Sequence, residues 1–151
     1  MIITLLLTLL TTEPFNSIKP HQRAQLFVEQ YSICAAYSWA ISDIARELNE
    51  IEKVNEYYKM TDTLWGIAIE HGNIIYPANE SDSIVTEKIK RHLFKMVPNI
   101  DNDFAKKAIP AADDKKYVSL LIIEHDNKCK DAFYKPKLFE SRVLNNAYKS
   151  K

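Results

Sequence analysis

Cys34 and Cys129 are the residues whose type and spacing point most directly to chemistry, and they are the only two cysteines in the 151-residue chain. Each lies on the apolar side of a segment with helical periodicity. In an oxidising compartment two such thiols pair if their helices are neighbours, whereas in a reducing compartment they stay small buried apolar groups. We predict a disulfide between them, which closes a loop of about 95 residues and adds roughly 4–5 kcal/mol in the chain-entropy model.

His125 precedes Cys129 by four residues, so the two side chains lie one turn apart on the same helix face. A thiol beside an imidazole can form a nucleophilic pair, but a reactive cysteine needs an open, electropositive site. The rest of this face is apolar and consists of Val118, Leu121, Ile122 and Ala132. With no third orienting group identifiable, we assign no catalytic residue.

A metal site is the other chemical use of the histidines. The segments 69–73 and 123–127 share the pattern Ile-Glu-His-x-Asn. Neighbouring helical side chains point about 100° apart, so the Glu and His of one copy do not converge on one ion. The Glu-x-x-His spacing of di-iron bundles is also absent. We predict no cofactor and keep, as an alternative, a metal-binding helical protein that uses His125 with His71 or His92.

Trp39 is the candidate for binding a partner. It lies away from the main apolar stripe of its helix and near Val28 and Ala35. An exposed Trp beside small apolar residues is typical of an interface hot spot. We therefore predict a binding surface at these three residues, and the alternative is that a neighbouring helix buries Trp39.

Charge and glycine content narrow the classes of partner and fold. Lys plus Arg and Asp plus Glu balance at 20 each, so no overall field attracts nucleic acid or an anionic membrane. The chain has two glycines, too few for a phosphate-binding glycine loop and for the turns of a sheet-rich fold. These counts predict an all-α protein with no nucleic-acid partner, and they give no support to an enzyme.

The helix around Cys34 is the centre of the predicted fold. Large apolar side chains recur along it within one arc of about 80°, the pattern of a helix that faces the core. They are Leu26, Ile33, Tyr37, Ile41, Ile44, Leu48 and Ile51. The opposite side is apolar in the first half and charged in the second. We expect the first half to be covered on most sides and the second half on one.

Further helices follow from periodicity and from helix-ending residues. The predictions are a helix over 54–71 ended by Gly72, one over 81–98, one from Asp113 or Asp114 to Tyr134 before Pro136, and a short helix over 138–148. Asn49 is the only soft breaker between the first two, so whether they are separate is left open. The fold predicted is a single-domain bundle of four main helices with a short C-terminal helix.

The segment 1–17 begins with the apolar run Met1–Leu10, which has the length of a signal-peptide core and is far shorter than a membrane span. No basic residue precedes it and no small-x-small cleavage pattern follows. We interpret 1–17 as an export signal or a disordered segment and 18–151 as the helical domain. The alternative is that the run is part of the fold of a cytoplasmic protein.

Together these features predict an exported helical binding protein, periplasmic or secreted, without catalytic activity. Its partner is another protein or a small apolar ligand. The rival interpretations are the metal-binding protein and a cytoplasmic adaptor or immunity-type protein that binds another protein.

Overall fold

The computed structural model describes residues 18–75, 87, 88, 91 and 114–150. All regular structure in these residues is helical, so the all-α prediction is confirmed at this level. The segment 1–17, His92 and most of the predicted helix over 81–98 lie outside the described residues, so the predicted count of four main helices is not tested.

Four helices are described, and proline begins two of them. They are α1 (Pro20–Glu47), α2 (Ile51–Ile75), α3 (Asp114–Tyr134) and α4 (Pro136–Lys149). Pro20 and Pro136 each occupy the first turn, where the absent N–H leaves no hydrogen bond unmade. The predicted bounds of α3 are confirmed, and Lys135 alone separates α3 from α4.

Asn49 separates α1 from α2, which answers the question that the sequence left open. Its φ of 58° lies in the left-handed region, which asparagine enters more readily than most residues. The N–H of Glu50 then donates to the carbonyl of Ala45 at 2.9 Å and closes the end of α1. The prediction that Gly72 ends α2 is wrong, because α2 continues to Ile75. A buried helical glycine costs only about 1 kcal/mol, which packing can offset.

The core-facing side of α1 is rotated by about 100° from the predicted stripe. Of the stripe, only Tyr37 and Ile41 are buried, and Ile51 is 61% exposed. Most residues that α1 buries are small, namely Ala24, Ser32, Cys34, Ala35, Ala36, Ser38, Ala40, Ser42 and Ala45. Small side chains let neighbouring helices approach closely, so they outweigh the hydropathy of Leu and Ile in deciding which side is covered. Burial is densest in the middle of α1, from Tyr31 to Ser42, and before Tyr31 only Ala24 and Phe27 are buried, so the expected cover on most sides is absent at the start of the helix.

The helix α1 is the centre of the described structure and packs against α2, α3 and α4. The Ser42 hydroxyl donates to the carbonyl of Val54 in α2 at 3.2 Å. Against α3, the Cys34–Cys129 disulfide joins the two helices with their Cα atoms 5.3 Å apart. The predicted pairing is therefore present in the structure, and both residues are buried. No helix among the described residues is long and apolar enough to cross a bilayer.

We expect reduction of the disulfide, or the double substitution Cys34→Ser with Cys129→Ser, to lower the free energy of unfolding by about 4 kcal/mol. The bond joins positions 95 residues apart and so restricts the unfolded chain strongly. Urea unfolding with and without reductant measures the loss. The double variant is the control, since it must match the reduced protein and be insensitive to reductant. Equal unfolding midpoints for oxidised and reduced wild type would refute the stabilising role.

Candidate functional site

His125 lies in a buried polar network between α1 and α3, one turn from the disulfide. Its Nε2 is 3.0 Å from the Ser38 hydroxyl, and its Nδ1 is 3.4 Å from the Asp126 carboxylate. The Ser38 hydroxyl donates to the carbonyl of Cys34 at 3.1 Å. Because Cys129 is bonded to Cys34, it has no free thiol, and a Cys–His nucleophilic pair is excluded while the disulfide is intact.

The one proton of the neutral His125 imidazole has two acceptors within reach. Burial lowers the pKa of His125, so its imidazole is neutral and carries one proton. With that proton on Nδ1, the imidazole donates to the Asp126 carboxylate. With the proton on Nε2, the imidazole donates to the Ser38 oxygen, whose own proton goes to the Cys34 carbonyl. Each ring nitrogen therefore has a polar neighbour on one side of the ring.

The side chains of Ser38, His125 and Asp126 are those of a hydrolytic triad in type and order, but the serine and the histidine are buried. Ser38 is 0% exposed and His125 is 1% exposed, so no substrate reaches the hydroxyl in this structure. The Tyr57 ring of α2 meets the imidazole edge-on at 5.3 Å between ring centres. Side chains of α1, α2 and α3 therefore meet at His125. Burial also raises the pKa of the Tyr57 hydroxyl to about 12.

His71 belongs to a different cluster, at the opposite end of α2 from Tyr57. Its Nε2 is 3.4 Å from a carboxylate oxygen of Glu140, and the same oxygen accepts the Tyr31 hydroxyl at 3.0 Å. Its ring stacks on Tyr31 and contacts Phe27. Burial, together with the negative charge of Glu140, raises the pKa of Tyr31.

The described part of the chain contains no set of ligands that would support the metal-binding alternative. His71 and His125 have no partner in common there. No group of three His, Cys, Asp or Glu residues suited to a metal ion occurs among the described residues. Its third candidate, His92, lies outside them.

Trp39 lines a surface pocket of about 220 Å³ between α1 and α2. Its half-buried ring projects from α1, and the other lining residues come from α2. They are Tyr58, Thr61, Asp62 and Trp65. The two tryptophans of the chain therefore share one pocket. Trp39 is neither fully exposed, as the hot-spot prediction implied, nor fully covered by a neighbouring helix.

The other two residues of the predicted binding surface lie in different surroundings. Val28 is half-buried and packs against the core cluster. Ala35 is 0% exposed and is a core residue, so it cannot contact a partner directly. Its small side chain belongs to the closely packed side of α1. Trp39 therefore lies at the surface as predicted, but the aromatic side chains beside it belong to α2.

A second and larger cavity is a cleft of about 620 Å³ beside the disulfide. Its apolar lining includes Leu26, Ile33 and Tyr37, three residues of the stripe that the sequence predicted to be core. Lys128 and Arg142 contribute positive charge, each paired with a carboxylate, Lys128 with Glu124 at 2.5 Å and Arg142 with Asp131 at 3.1 Å. The volume lies in the range of small-molecule sites.

Sequence reasoning missed Ser38 and the three α2 residues beside Trp39 that carry rings or charge. A single buried serine has no pattern that distinguishes it from a surface serine. Tyr58, Asp62 and Trp65 do have a signal, because their spacing of four and three residues places them on one face of a helix. The sequence does not show that this face of α2 lies beside Trp39 of α1.

Fold and sites define this chain as a disulfide-bonded, all-α protein whose described residues form a cleft beside the disulfide and a pocket at Trp39. Compared with models of protein families, with curated proteins and with solved structures, it shows no significant match.

We expect the protein to lose stability as the pH falls below about 6.5, the ordinary pKa of histidine. Burial lowers the pKa of His125 in the folded state, so the unfolded chain binds a proton that the folded protein excludes. The loss reaches at most about 2 kcal/mol near pH 5. Urea unfolding between about pH 7.5 and about pH 5 measures it.

The substitution His125→Gln keeps a polar group near Ser38 but does not titrate, so it should flatten this pH dependence. His21→Gln is the control, since His21 is exposed at the start of α1. Unchanged pH dependence in His125→Gln would show that other groups are responsible. Asp126 and Glu56 are the charged groups that act on His125, and both favour its protonated form.

Proposed function

We propose that this chain is an exported, disulfide-bonded helical binding protein that acts without catalysis and contacts a protein partner through the face around Trp39. The observation that carries this proposal is the pocket in which Trp39, Tyr58 and Trp65 meet at the surface. Trp and Tyr supply large contact areas with few torsions to fix on binding, which is why they dominate interface hot spots. Three such rings at one surface position favour recognition over a purely structural use.

Export is supported by the Cys34–Cys129 bond and by the apolar run Met1–Leu10. Structural disulfides form and persist in oxidising compartments and are rare in the cytosol. Both cysteines of the chain are used in this one bond, which leaves no thiol for redox or metal chemistry. A periplasmic or secreted location is therefore the location that we propose, and a cytoplasmic adaptor is its rival.

Mass spectrometry of the protein isolated from its native host separates export from the cytoplasmic alternative. We expect a mass lower by two hydrogens than the dithiol form, and an N-terminus beyond the apolar run. Trapping the thiols with an alkylating reagent during lysis prevents oxidation after extraction. An intact Met1 together with two alkylated cysteines would end the export proposal.

The other class of partner, a small apolar ligand, has its support in the disulfide cleft. The cleft joins an apolar stripe of α1 to polar groups of α3 and α4, as sites for small amphipathic molecules do. Trp39 does not line it. A ligand bound there would be insensitive to changes at Trp39, and this separates the two classes of partner.

We expect Trp39→Ala to weaken binding of the protein partner by roughly 30-fold or more, the cost of truncating a hot-spot side chain. A photo-crosslinking phenylalanine analogue in place of Tyr58 identifies the partner in the native host. Binding of the purified partner is then measured by calorimetry with wild type and Trp39→Ala.

Tyr148→Ala is the control for this measurement, because Tyr148 is 53% exposed and lies on α4, away from the pocket. It should leave binding unchanged. Thermal unfolding of each variant separates binding from folding. A large drop in the melting temperature of Trp39→Ala, with unchanged affinity, would identify Trp39 as a core residue and overturn the proposal.

A further inference from the structure

The pocket at Trp39 combines aromatic rings with a negative charge. Its five lining residues are Trp39, Tyr58, Thr61, Asp62 and Trp65, and no basic side chain is among them. Aromatic rings present negative potential on their faces, and cations bind over those faces. A carboxylate beside several rings is the arrangement that selects an organic cation over a neutral apolar group of the same size.

The arrangement follows from the helix positions. Tyr58, Asp62 and Trp65 lie at successive turns of α2 and therefore on one face. Trp39 closes the pocket from α1. The carboxylate thus lies between the Tyr58 and Trp65 positions along α2, where a cation that touches the rings also meets the opposite charge.

The carboxylate of Asp62 is exposed and has no partner among the described residues. Within the described part of the chain, Asp62 has no ion pair and no hydrogen bond from its side chain. By contrast, the exposed Asp43 of α1 is paired with Arg46 at 2.9 Å. The positive and negative charges of the chain balance, so attraction of a cation comes from this pocket and not from an overall field.

The size and openness of the pocket favour a side chain over a free small molecule. Small-molecule sites usually have volumes of about 300–1,000 Å³ and enclose most of the ligand. This pocket has about 220 Å³, and Tyr58 at its edge is 61% exposed. It can hold the charged end of one side chain while the rest of the partner lies outside.

We infer that the pocket of Trp39, Tyr58, Asp62 and Trp65 receives a cationic side chain, lysine or arginine, from the protein partner. This inference rests on the proposed function and gives the partner a defined chemistry. It also explains why an acidic residue lies among aromatic rings at the surface, which a purely apolar interface would exclude.

The two tryptophans allow a direct test, since both line the pocket and no other tryptophan exists in the chain. Their two indole N–H signals in a ¹⁵N-labelled protein report on this site alone. The probes are the N-acetyl amides of lysine, arginine and norleucine, the last being a neutral match for lysine. Choline tests a free quaternary ammonium compound. All are titrated at millimolar concentrations into the full chain.

We expect the lysine or arginine amide to shift both indole signals in a saturable way, and norleucine amide to bind at least several-fold more weakly. Asp62→Asn and Tyr58→Leu should each weaken binding of the cation by roughly 2- to 30-fold. Both change surface side chains and retain both reporters. Glu70→Gln and Tyr148→Leu are the matched controls outside the pocket and should have no effect.

Equal binding of norleucine amide and lysine amide, or unchanged binding in Asp62→Asn, would overturn the cationic assignment. Much tighter binding of choline than of lysine or arginine amide would overturn the side-chain source in favour of a small ammonium compound. The proposed function fails separately. If Trp39→Ala lowers partner affinity and Asp62→Asn does not, the binding surface stands and only its cationic specificity is refuted.

Discussion

The covalent bond between Cys34 and Cys129 is the constraint on which the arrangement of α1 and α3 depends. Ser38 lies one turn after Cys34 in α1, and it contacts His125, which lies one turn before Cys129 in α3. The disulfide and this hydrogen bond are therefore successive contacts between two antiparallel helices. A slip of either helix would break both. Because the bond fixes that register, it also holds a histidine where burial keeps it neutral, with Tyr57 of α2 against its ring. The disulfide and the neutral histidine therefore lie in the same contact between α1 and α3.

Small residues decide which side of α1 faces the core, and this choice creates the surfaces. Alanine, serine and cysteine occupy most of the buried side, where they permit close contact with α2 and α3. Two of the larger apolar residues, Leu26 and Ile33, are only partly buried and line the cleft. Trp39 projects about 160° away from Tyr37 around the helix axis, on the side of the aromatic pocket. Residues of α1 therefore line both the disulfide cleft and the pocket at Trp39.

Local sequence signals predicted most of the helices, but they did not predict which side chains of different helices are in contact. Pro136 and the acidic start placed α3 correctly, and two isolated cysteines on apolar faces gave the disulfide. Hydropathy predicted the wrong face of α1, because it ranks Ile33 above Ala35, whereas close packing buries the smaller Ala35. The partner of His125 and the aromatic neighbours of Trp39 were missed for a related reason. Each depends on how two helices are rotated against each other, which no single segment encodes.

The aromatic pocket lies on two packed helices, and such a scaffold suits recognition. Its rings project from α1 and α2, two helices held together by small buried side chains and by the Ser42 hydrogen bond to Val54. A side chain fixed on such a scaffold loses little conformational freedom when a partner binds, so more of the contact energy appears as affinity. The cost falls on stability, because Tyr58 is 61% exposed and the two tryptophans, which pack against the core, are only partly buried. A covalent bond worth about 4 kcal/mol offsets that cost and allows a small helical protein to keep large aromatic rings at its surface.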